Sequence, residues 1–519
     1  MRKEKVLIMD FGGQYTHLIA RRVRELGVYS EVIPWNEDLE NILKHAPSAM
    51  VLSGGPSSVL KSSSPRPKKE VLKWILEGEI PILGICYGHQ LLASFGGGEV
   101  VRGDKGEYGP SLLEVKIFDP LFSETPKRQR VWMSHKDYVR KAPPGSLVLA
   151  STEYSSVAAL KYSKGKVYSI QFHPEVRHTE YGKEIMSNFL YKIARLKGEW
   201  KVSGIAKYVI RKVKNVYKGG NVLVAVSGGV DSLTAAFIVS KIAGKDKVHI
   251  VFIDTGLLRE NEGLQVLKIL KRLNLGIIHF IDASKEFLER LQGVSDPEEK
   301  RKIIALTFSK TLVKVKCLLE RKYGPFSYLV QGTIYPDRIE SGRVGSGSAK
   351  IKSHHNVVMP DVGLKVLEPL TDLYKDEVRK LALELGLSKE IVFRHPFPGP
   401  GLAVRIVGEV TKERLNIIRK ATNIVEEELK KNNIYASLWQ AFPVLLPLKS
   451  VGVMGDSRTY GYIIALRFVK SEDAMTAEFA KLPWDLLEKI ANRLVNEVEG
   501  VNRVLYDLTD KPPATIEFE

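Results

Sequence analysis

The sequence predicts an α/β protein: two doubly wound, mostly parallel sheets followed by a smaller α+β module. Three observations carry this. Short apolar runs alternate with helical stretches through the first third of the chain. The alternation starts again near Gly198. The final stretch loses it and pairs long helices with extended runs. At 519 residues the chain has the length of roughly three ordinary domains. The boundaries expected are 1–197, 198–394 and 395–519.

In the first domain Val6–Met9, Ala49–Leu52 and Ile80–Ile85 read as strands, each ending in Asp, Ser-Gly-Gly or Cys. Helical periodicity lies between them, as in His17–Leu26. Lys166–Phe172 reads as a further strand and Glu180–Leu196 as a closing amphipathic helix. In the second, Val222–Val226, His249–Ile253, Gly276–Ile281 and Ser327–Val330 read as strands. Glu262–Leu273 and Pro297–Lys322 read as helices between them. Asp337–Asn356 is rich in Gly, Ser and basic residues and reads as a lid or a disordered loop. Leu373–Gly386 is helical again. Arg394–Gly401 holds three prolines in five residues, which forbids regular structure. Beyond it Thr411–Lys431 and Trp484–Val498 read as helices, and Tyr460–Val469 and Arg503–Leu508 as extended.

Composition excludes several classes. The apolar fraction of 44% suits a globular protein. No run approaches the ~18 apolar residues of a membrane span. Met1–Lys5 leads into a first strand rather than a signal peptide. Two cysteines, Cys86 and Cys317, cannot make a disulfide framework, so a reducing cytoplasm is expected. The net charge of +18 is spread among interspersed acids and reads as surface bias. Only Arg195–Lys218 is one-sided, with eight basic residues against Glu199, and it reads as a solvated helix face at a domain junction.

The first chemical site centres on Gly84-Ile85-Cys86-Tyr87-Gly88. Small residues at minus two and plus two permit a sharp strand-to-helix turn, the cysteine counterpart of the G-x-S-x-G elbow. A helix N-terminus favours the thiolate, but a thiol of ordinary pKa ~8.5 still needs a basic partner. His173 is the candidate base. Glu175, two residues on and on the same face of an extended segment, is its orienting carboxylate. Gly54 and Gly55, in Ser53-Gly54-Gly55-Pro56, are candidate oxyanion donors. Cys317 falls within a helical run and reads as structural. The second site is Ser227-Gly228-Gly229-Val230-Asp231-Ser232-Leu233, between a strand and a helix. Backbone N–H groups and two hydroxyls suit a pyrophosphate, and Asp231 is a candidate Mg²⁺ ligand. It lacks the lysine of the G-x-x-x-x-G-K-[ST] loop, so it is a different device. Asp254 and Gly256, at the end of the next strand, suit adenosine. Lys350 and Lys352 on the lid are placed to close over phosphates, although a solvated loop has the same composition. The adjacent histidines His354 and His355 lack metal-ligand spacing.

The motifs S-G-G-P, G-I-C-Y-G-H-Q and F-H-P-E, in that order over about residues 5–195, resemble a class I glutamine amidotransferase. The resemblance implies a flavodoxin-like domain in which Cys86 attacks the glutamine amide. It implies glutamine or oxyanion contacts at Gly54, Gly55, Tyr87, Gln90, Ser134, His135 and Asp137. The Ser227–Ser232 hexapeptide resembles the PP-loop of ATP pyrophosphatases, which implies an adenine nucleotide alpha hydrolase-like domain that adenylates its acceptor. Where that family usually continues with a second serine, this chain has Leu233.

Neither motif names the acceptor. A carboxylate would suit the two-site logic, and PP-loops also occur in tRNA-modifying enzymes, although those that transfer sulfur usually carry cysteines absent here. The stretches Gln331–Asp337, Ile351–Asn356, Arg394–Gly401, Gly455–Tyr460 and Lys511–Glu517 resemble the glutamine-hydrolysing GMP synthases, collinearly over essentially the whole chain. That resemblance implies conversion of xanthosine monophosphate (XMP), ATP, glutamine and water to GMP, AMP, pyrophosphate and glutamate through an adenyl-XMP intermediate. It implies XMP contacts at Pro398, Gly399, Gly401, Gln440, Arg458, Lys511, Ile516 and Glu517, and a homodimer paired through the C-terminal module. Val357-Val358-Met359, where glycines are common, and Phe518, where Trp is commoner, depart from the family pattern.

Overall fold

The computed structural model describes residues 4–164, 166–337, 363–454, 457–471 and 476–519. Arg338, Arg343, Lys350, Lys352, His354, His355, Val357–Met359, Gly455 and Asp456 lie outside the described residues. The chain divides into two compact units, Met1–Gly204 and Ile205–Glu519.

Unit 1 is a nine-stranded mixed sheet in the order β2-β1-β3-β4-β9-β8-β7-β5-β6. Its strands are β1 Lys5–Asp10, β2 Tyr29–Pro34, β3 Ala49–Leu52, β4 Ile82–Ile85, β5 Glu99–Val115, β6 Arg128–Lys141, β7 Leu147–Ser151, β8 Ala159–Lys161 and β9 Val167–Ile170. The first five in spatial order are parallel. The apolar runs of β3, β4 and β9 are buried throughout, as both faces of a covered parallel sheet require, whereas the edge strand β2 is only partly buried and is absent from the sequence reading. The other four pair antiparallel and are absent from the sequence reading. In β5 and β6 polar and apolar residues alternate with many exposed charges, so no continuous apolar run marks them. The Glu180–Leu196 helix is interrupted: α-helix over Gly182–Ser187 widens to a π turn over Asn188–Ile193.

Unit 2 opens with an all-parallel sheet in the order β12-β11-β10-β13-β14. Its strands are β10 Asn221–Ala225, β11 Val248–Asp254, β12 Ile277–Asp282, β13 Phe326–Val330 and β14 Lys365–Leu367. The strand order reverses beside β10, which opens a crevice at its carboxyl end. The second sheet consists of β15 Gln440–Met454, β16 Ser457–Lys470, β17 Glu478–Phe479 and β18 Val501–Tyr506. It does not bury its apolar face alone. One continuous core runs from Leu223 and Val251 through Ile418 and Ile464 to Val501. The basic Arg195–Lys218 stretch forms the Val202–Val216 helix. It is not simply a solvated face: Lys212 donates to Asp372 at 2.7 Å and to Thr371 at 2.5 Å. Cys317 is helical but exposed, so it is not a core residue.

Arg467 on β16 is fully buried. It donates to the Thr509 carbonyl, to Thr515 O at 2.9 Å and to Ile516 O at 3.4 Å, and it pairs with Asp507 at 3.1 Å. One guanidinium thus folds the 507–516 segment around itself. Arg467→Leu strands three carbonyls and a carboxylate. It should lower the unfolding free energy of unit 2 by about 3 kcal/mol in urea melts, with unit 1 unaffected.

Candidate functional site

In unit 1 the chain leaves β4 and turns into the Tyr87–Phe95 helix at Cys86, whose φ of 52° and ψ of −99° lie off the usual basins of a non-glycine residue. The turn closes only because Gly84 and Gly88 lack side chains. A Cβ on Gly84 would sit 2.8 Å from the Gly88 carbonyl oxygen, and one on Gly88 2.6 Å from that of Leu52. Helix Tyr87–Phe95 therefore presses directly on β3 and β4 and holds the sulfur at their carboxyl edge. The Cys86 Sγ lies 3.7 Å from the Ser134 carbonyl oxygen.

His173 faces the elbow. A Cβ on Gly54 would lie 3.0 Å from His173 Cε1, 3.9 Å from Nε2 and 3.5 Å from Cys86 Cβ, so Gly54 marks the gap between the cysteine and the imidazole. His173 Nδ1 donates to Glu175 Oε1 at 2.7 Å, which leaves Nε2 for the sulfur. The two residues do not reach each other along an extended strand, as spacing suggested. They occupy a turn after β9, where Pro174 bends the chain. The turn is pinned by His173 N donating to Trp132 O at 3.0 Å and by Thr179 Oγ1 donating to His173 O at 2.6 Å. Tyr15 covers the imidazole edge-on at 5.1 Å. Burial works against the imidazolium, but the Glu175 carboxylate and then the Cys86 sulfur outweigh it and hold His173 up at about 10.

The remaining glutamine candidates gather beside the sulfur, largely bound to one another. Gln90 Nε2 donates to Asp137 O at 2.6 Å and to Gln171 Oε1 at 3.2 Å. Ser134, His135 and Asp137 lie on β6. His135 Nδ1 is 3.0 Å from Asp137 O and its Nε2 3.1 Å from Glu107 Oε2. The Tyr87 side chain turns away, its hydroxyl donating to Pro65 O at 2.6 Å, so only its backbone faces the elbow. Glu107 and Tyr15 carry no sequence signal; each becomes visible only when β5 and the Tyr15 turn fold back onto this edge.

In unit 2 the Ser227–Ser232 loop caps β10 and opens the Val230–Ala243 helix. Its hydroxyls lie 3.3 Å apart, and Ser232 Oγ donates to Gly229 O at 3.1 Å. Leu233 does not line the loop: its side chain is fully buried and its N–H donates to Gly229 O at 3.1 Å. Asp231 Oδ2 pairs with Lys375 Nζ at 2.5 Å, and its buried Oδ1 has no hydrogen-bond partner among the described residues. A lysine absent from the loop thus arrives from the start of the Lys375–Glu384 helix, 144 residues away. Gly332 follows β13 and touches the loop backbone, since its Cβ would lie 2.8 Å from Ser232 N. Asp254 Oδ1 accepts from Gly256 N at 2.8 Å, which shapes the turn after β11.

The Pro398–Gly401 loop docks on that same turn. Leu402 N donates to Leu257 O at 2.8 Å, and a Cβ on Gly401 would sit 2.4 Å from the same oxygen. Gln440 Nε2 donates to Pro396 O at 3.1 Å and to Glu517 Oε1 at 3.2 Å, and Arg405 pairs with Glu517 at 3.1 Å. Ile516 is buried beside Phe442, and Lys511 bridges to Ala477 at this end of the sheet. Arg458 does not join them. It pairs with Val453 near the far end of the β15–β16 hairpin, whereas Gln440 pairs with Val469. Eleven residues of strand at ~3.3 Å each put Arg458 ~36 Å along the strand from Val469, the partner of Gln440.

The class-I glutamine amidotransferase family model matches residues 7–193, and the GMP synthase C-terminal domain model matches residues 427–518. GMP synthase [glutamine-hydrolyzing] of Thermosipho africanus (strain TCF52B) is 50% identical over 518 residues, covering 99% of this chain and 99% of that one. The protein of the same description from Aquifex aeolicus (strain VF5) is 49% identical over 521 residues, covering 100% of both. The chain belongs to the glutamine-hydrolysing GMP synthases. These are ATP-dependent glutamine amidotransferase ligases, and among the described residues no helix of this enzyme is long and apolar enough to cross a membrane.

The raised His173 value has a sign. The imidazolium stabilises the fold fully below pH 6.5, and this contribution is lost as pH climbs through about 10. Removing the sulfur removes one of the two charges that raise it. In the enzyme with ring-labelled histidine, the His173 NMR titration should therefore fall to a lower midpoint in Cys86→Ala, and an unchanged midpoint would break the proposed contact.

Proposed function

We propose that Cys86, His173 and Glu175 release ammonia from glutamine in unit 1, and that unit 2 uses it to aminate XMP after adenylation by ATP. In the first half-reaction the sulfur bonds to the glutamine carboxamide carbon. Against burial, Glu175 and the sulfur favour the protonated form of His173, which places it to protonate the departing nitrogen. Glu175 fixes the ring so that this proton sits on Nε2. Backbone N–H groups of Gly54, Gly55 and Tyr87 suit the oxyanion. Water then cleaves the thioester, giving glutamate and restoring the sulfur. Ser134, His135 and Asp137 suit the charged end of glutamine, with Gln90 holding the Asp137 backbone.

In unit 2 the observation that carries the reading is the contact of Gly401 with Leu257. It sets the candidate XMP loop on the turn that bears Asp254 and Gly256, so base and α-phosphate can meet. The XMP O2 attacks the α-phosphorus and pyrophosphate leaves; ammonia then attacks C2 and AMP leaves. Ser227–Ser232 cradles the departing pyrophosphate. Lys375 supplies the cation that the loop lacks, exchanging Asp231 for phosphate oxygens. The orphaned Asp231 Oδ1 fits a Mg²⁺ ion brought in by ATP, since Mg²⁺ commonly takes one or two carboxylates plus phosphates. Such an ion would offset charge on those phosphates. The 1–197, 198–394 and 395–519 divisions then correspond to glutaminase, adenylating and nucleotide-binding parts of a cytoplasmic enzyme.

We further propose a homodimer in which the partner subunit's Arg458 completes the phosphate site. Val451, Val453, Arg458 and Tyr460 continue the face of the sheet that buries Leu445, Tyr462 and Ile464 lower down. Near the hairpin's end that face is uncovered, with Val453 75% and Tyr460 68% exposed. An apolar face that outruns its cover is a docking surface, and a second copy presents the same face.

Cys86→Ala should abolish glutamine-driven GMP synthesis and keep synthesis from added ammonia. Lys375→Met should lower both by 10²-fold or more. Glutamine-driven turnover surviving in Cys86→Ala would sink the first assignment. Mixing Arg458→Ala with Gln440→Ala chains should restore up to a quarter of wild-type activity through hybrid dimers. No restoration would place Arg458 in its own chain's site or outside the site altogether.

A further inference from the structure

Lys300 lies on the long Pro297–Tyr323 helix with 0% of its surface exposed, an unusual place for an ammonium group. Its Nζ donates to Ala403 O at 3.3 Å, to Ile406 O at 2.8 Å and to a carboxylate oxygen of Glu519. The other Glu519 oxygen accepts from Gly408 N at 3.0 Å. Arg301, the next residue on the helix, donates to the Glu519 carbonyl. Three segments distant in sequence meet at this pair: the helix, residues 401–408 and residues 516–519.

The two segments that the helix gathers are the ones already linked by Arg405 and Glu517. Ala403 and Ile406 bracket Arg405, so Lys300 fixes the backbone on both sides of that guanidinium. Glu519 fixes the chain two residues beyond Glu517. Between these two anchors Arg405 meets Glu517, and Gln440 meets Glu517 from β15. Arg405 is itself 1% exposed and stacked 4.0 Å over Phe442, so it has no freedom to follow a displaced tail. Burial lowers the Lys300 pKa, and the Glu519 carboxylate opposes that shift. An apolar pair could fill the same volume without that penalty. What it could not do is set the spacing of two backbone segments to within a few tenths of an ångström, which the hydrogen-bonded ions do.

We infer that Lys300 and Glu519 form a buried clasp that positions the Pro398–Gly401 loop and the Lys511–Glu517 segment for XMP. They are positioning residues, acting through Arg405 and Glu517 without touching the nucleotide. The inference rests on the reading of those two segments as XMP contacts. The two fail separately.

The test is steady-state kinetics of the full chain with ammonia as nitrogen donor, which takes the glutamine site out of the measurement. Glu519→Ala should raise the XMP KM roughly tenfold, the size expected for losing a charge-assisted bond. Glu519→Gln, which keeps volume and one acceptor, should raise it less. The ATP KM should rise clearly less than the XMP KM, because the Ser227–Ser232 loop lies outside the clasp and the Asp254–Gly256 turn meets it only through the Gly401 contact. Lys300→Met should mimic Glu519→Ala, and the double variant should be no worse than the worse single one. If Glu519→Ala does not fold, Glu519→Gln carries the test, with folding judged by its melting curve. An unchanged XMP KM in folded variants would overturn the clasp, as would equal rises in the ATP and XMP KM. Wild-type enzyme that shows no XMP dependence would remove the nucleotide reading itself, a result visible before any variant is made.

Discussion

Both sites depend on backbone meeting backbone at the carboxyl edge of a parallel sheet. At the elbow, Gly88 lies against Leu52 and Gly84 against Gly88. In unit 2, Gly332 lies against Ser232 and Gly401 against Leu257. Each contact is closer than any side chain allows. Together they bring strands, helix starts and loops near enough for a few atoms to converge on a substrate. A methyl group at any of these positions would push apart elements that carry chemistry, with little change to the apolar core behind them.

Charge is arranged oppositely at the two edges. In unit 1 a carboxylate backs the His173 imidazole and favours its charged form beside the sulfur. In unit 2 a carboxylate at the start of one helix is held by a lysine at the start of another. The first arrangement is static and buried; Glu175 is fully enclosed. The second is half-open, with Lys375 and Asp231 each about a quarter exposed. The buried pair is shielded from water and the half-open pair is screened by it.

The C-terminal part of unit 2 follows a third logic. Arg405, Arg467 and Lys300 are all buried, and each spends its hydrogen bonds on the 505–519 segment or on the loop facing it. Of its large aliphatic and Phe side chains, that segment leaves Leu505, Leu508 and Phe518 exposed and buries Ile516. It is shaped by buried cations reading its carbonyls and carboxylates, so its conformation is specified by bond direction rather than by packing.

Much of this was legible from residues because much of it is local. A strand, a glycine-bearing turn and a helix start lie within about ten residues, so Cys86 and Ser227–Ser232 declare themselves. Most of the parallel strands do so as well, since burial leaves continuous apolar runs, but the edge strands β2 and β14 do not, being only partly buried. The antiparallel strands β5 and β6 stayed hidden because they are polar on one side and bent by register shifts. His173 and Glu175 meet as their spacing suggests, but across a turn at Pro174 rather than along a strand. Sequence by itself determined which chemical groups each unit carries, since those motifs are set by neighbours along the chain. Only the tertiary structure decided which groups meet. Lys375 reaches Asp231, Lys300 reaches Glu519 and Arg458 stands apart from Gln440 because sheet order and register, not sequence distance, fix where a side chain ends up.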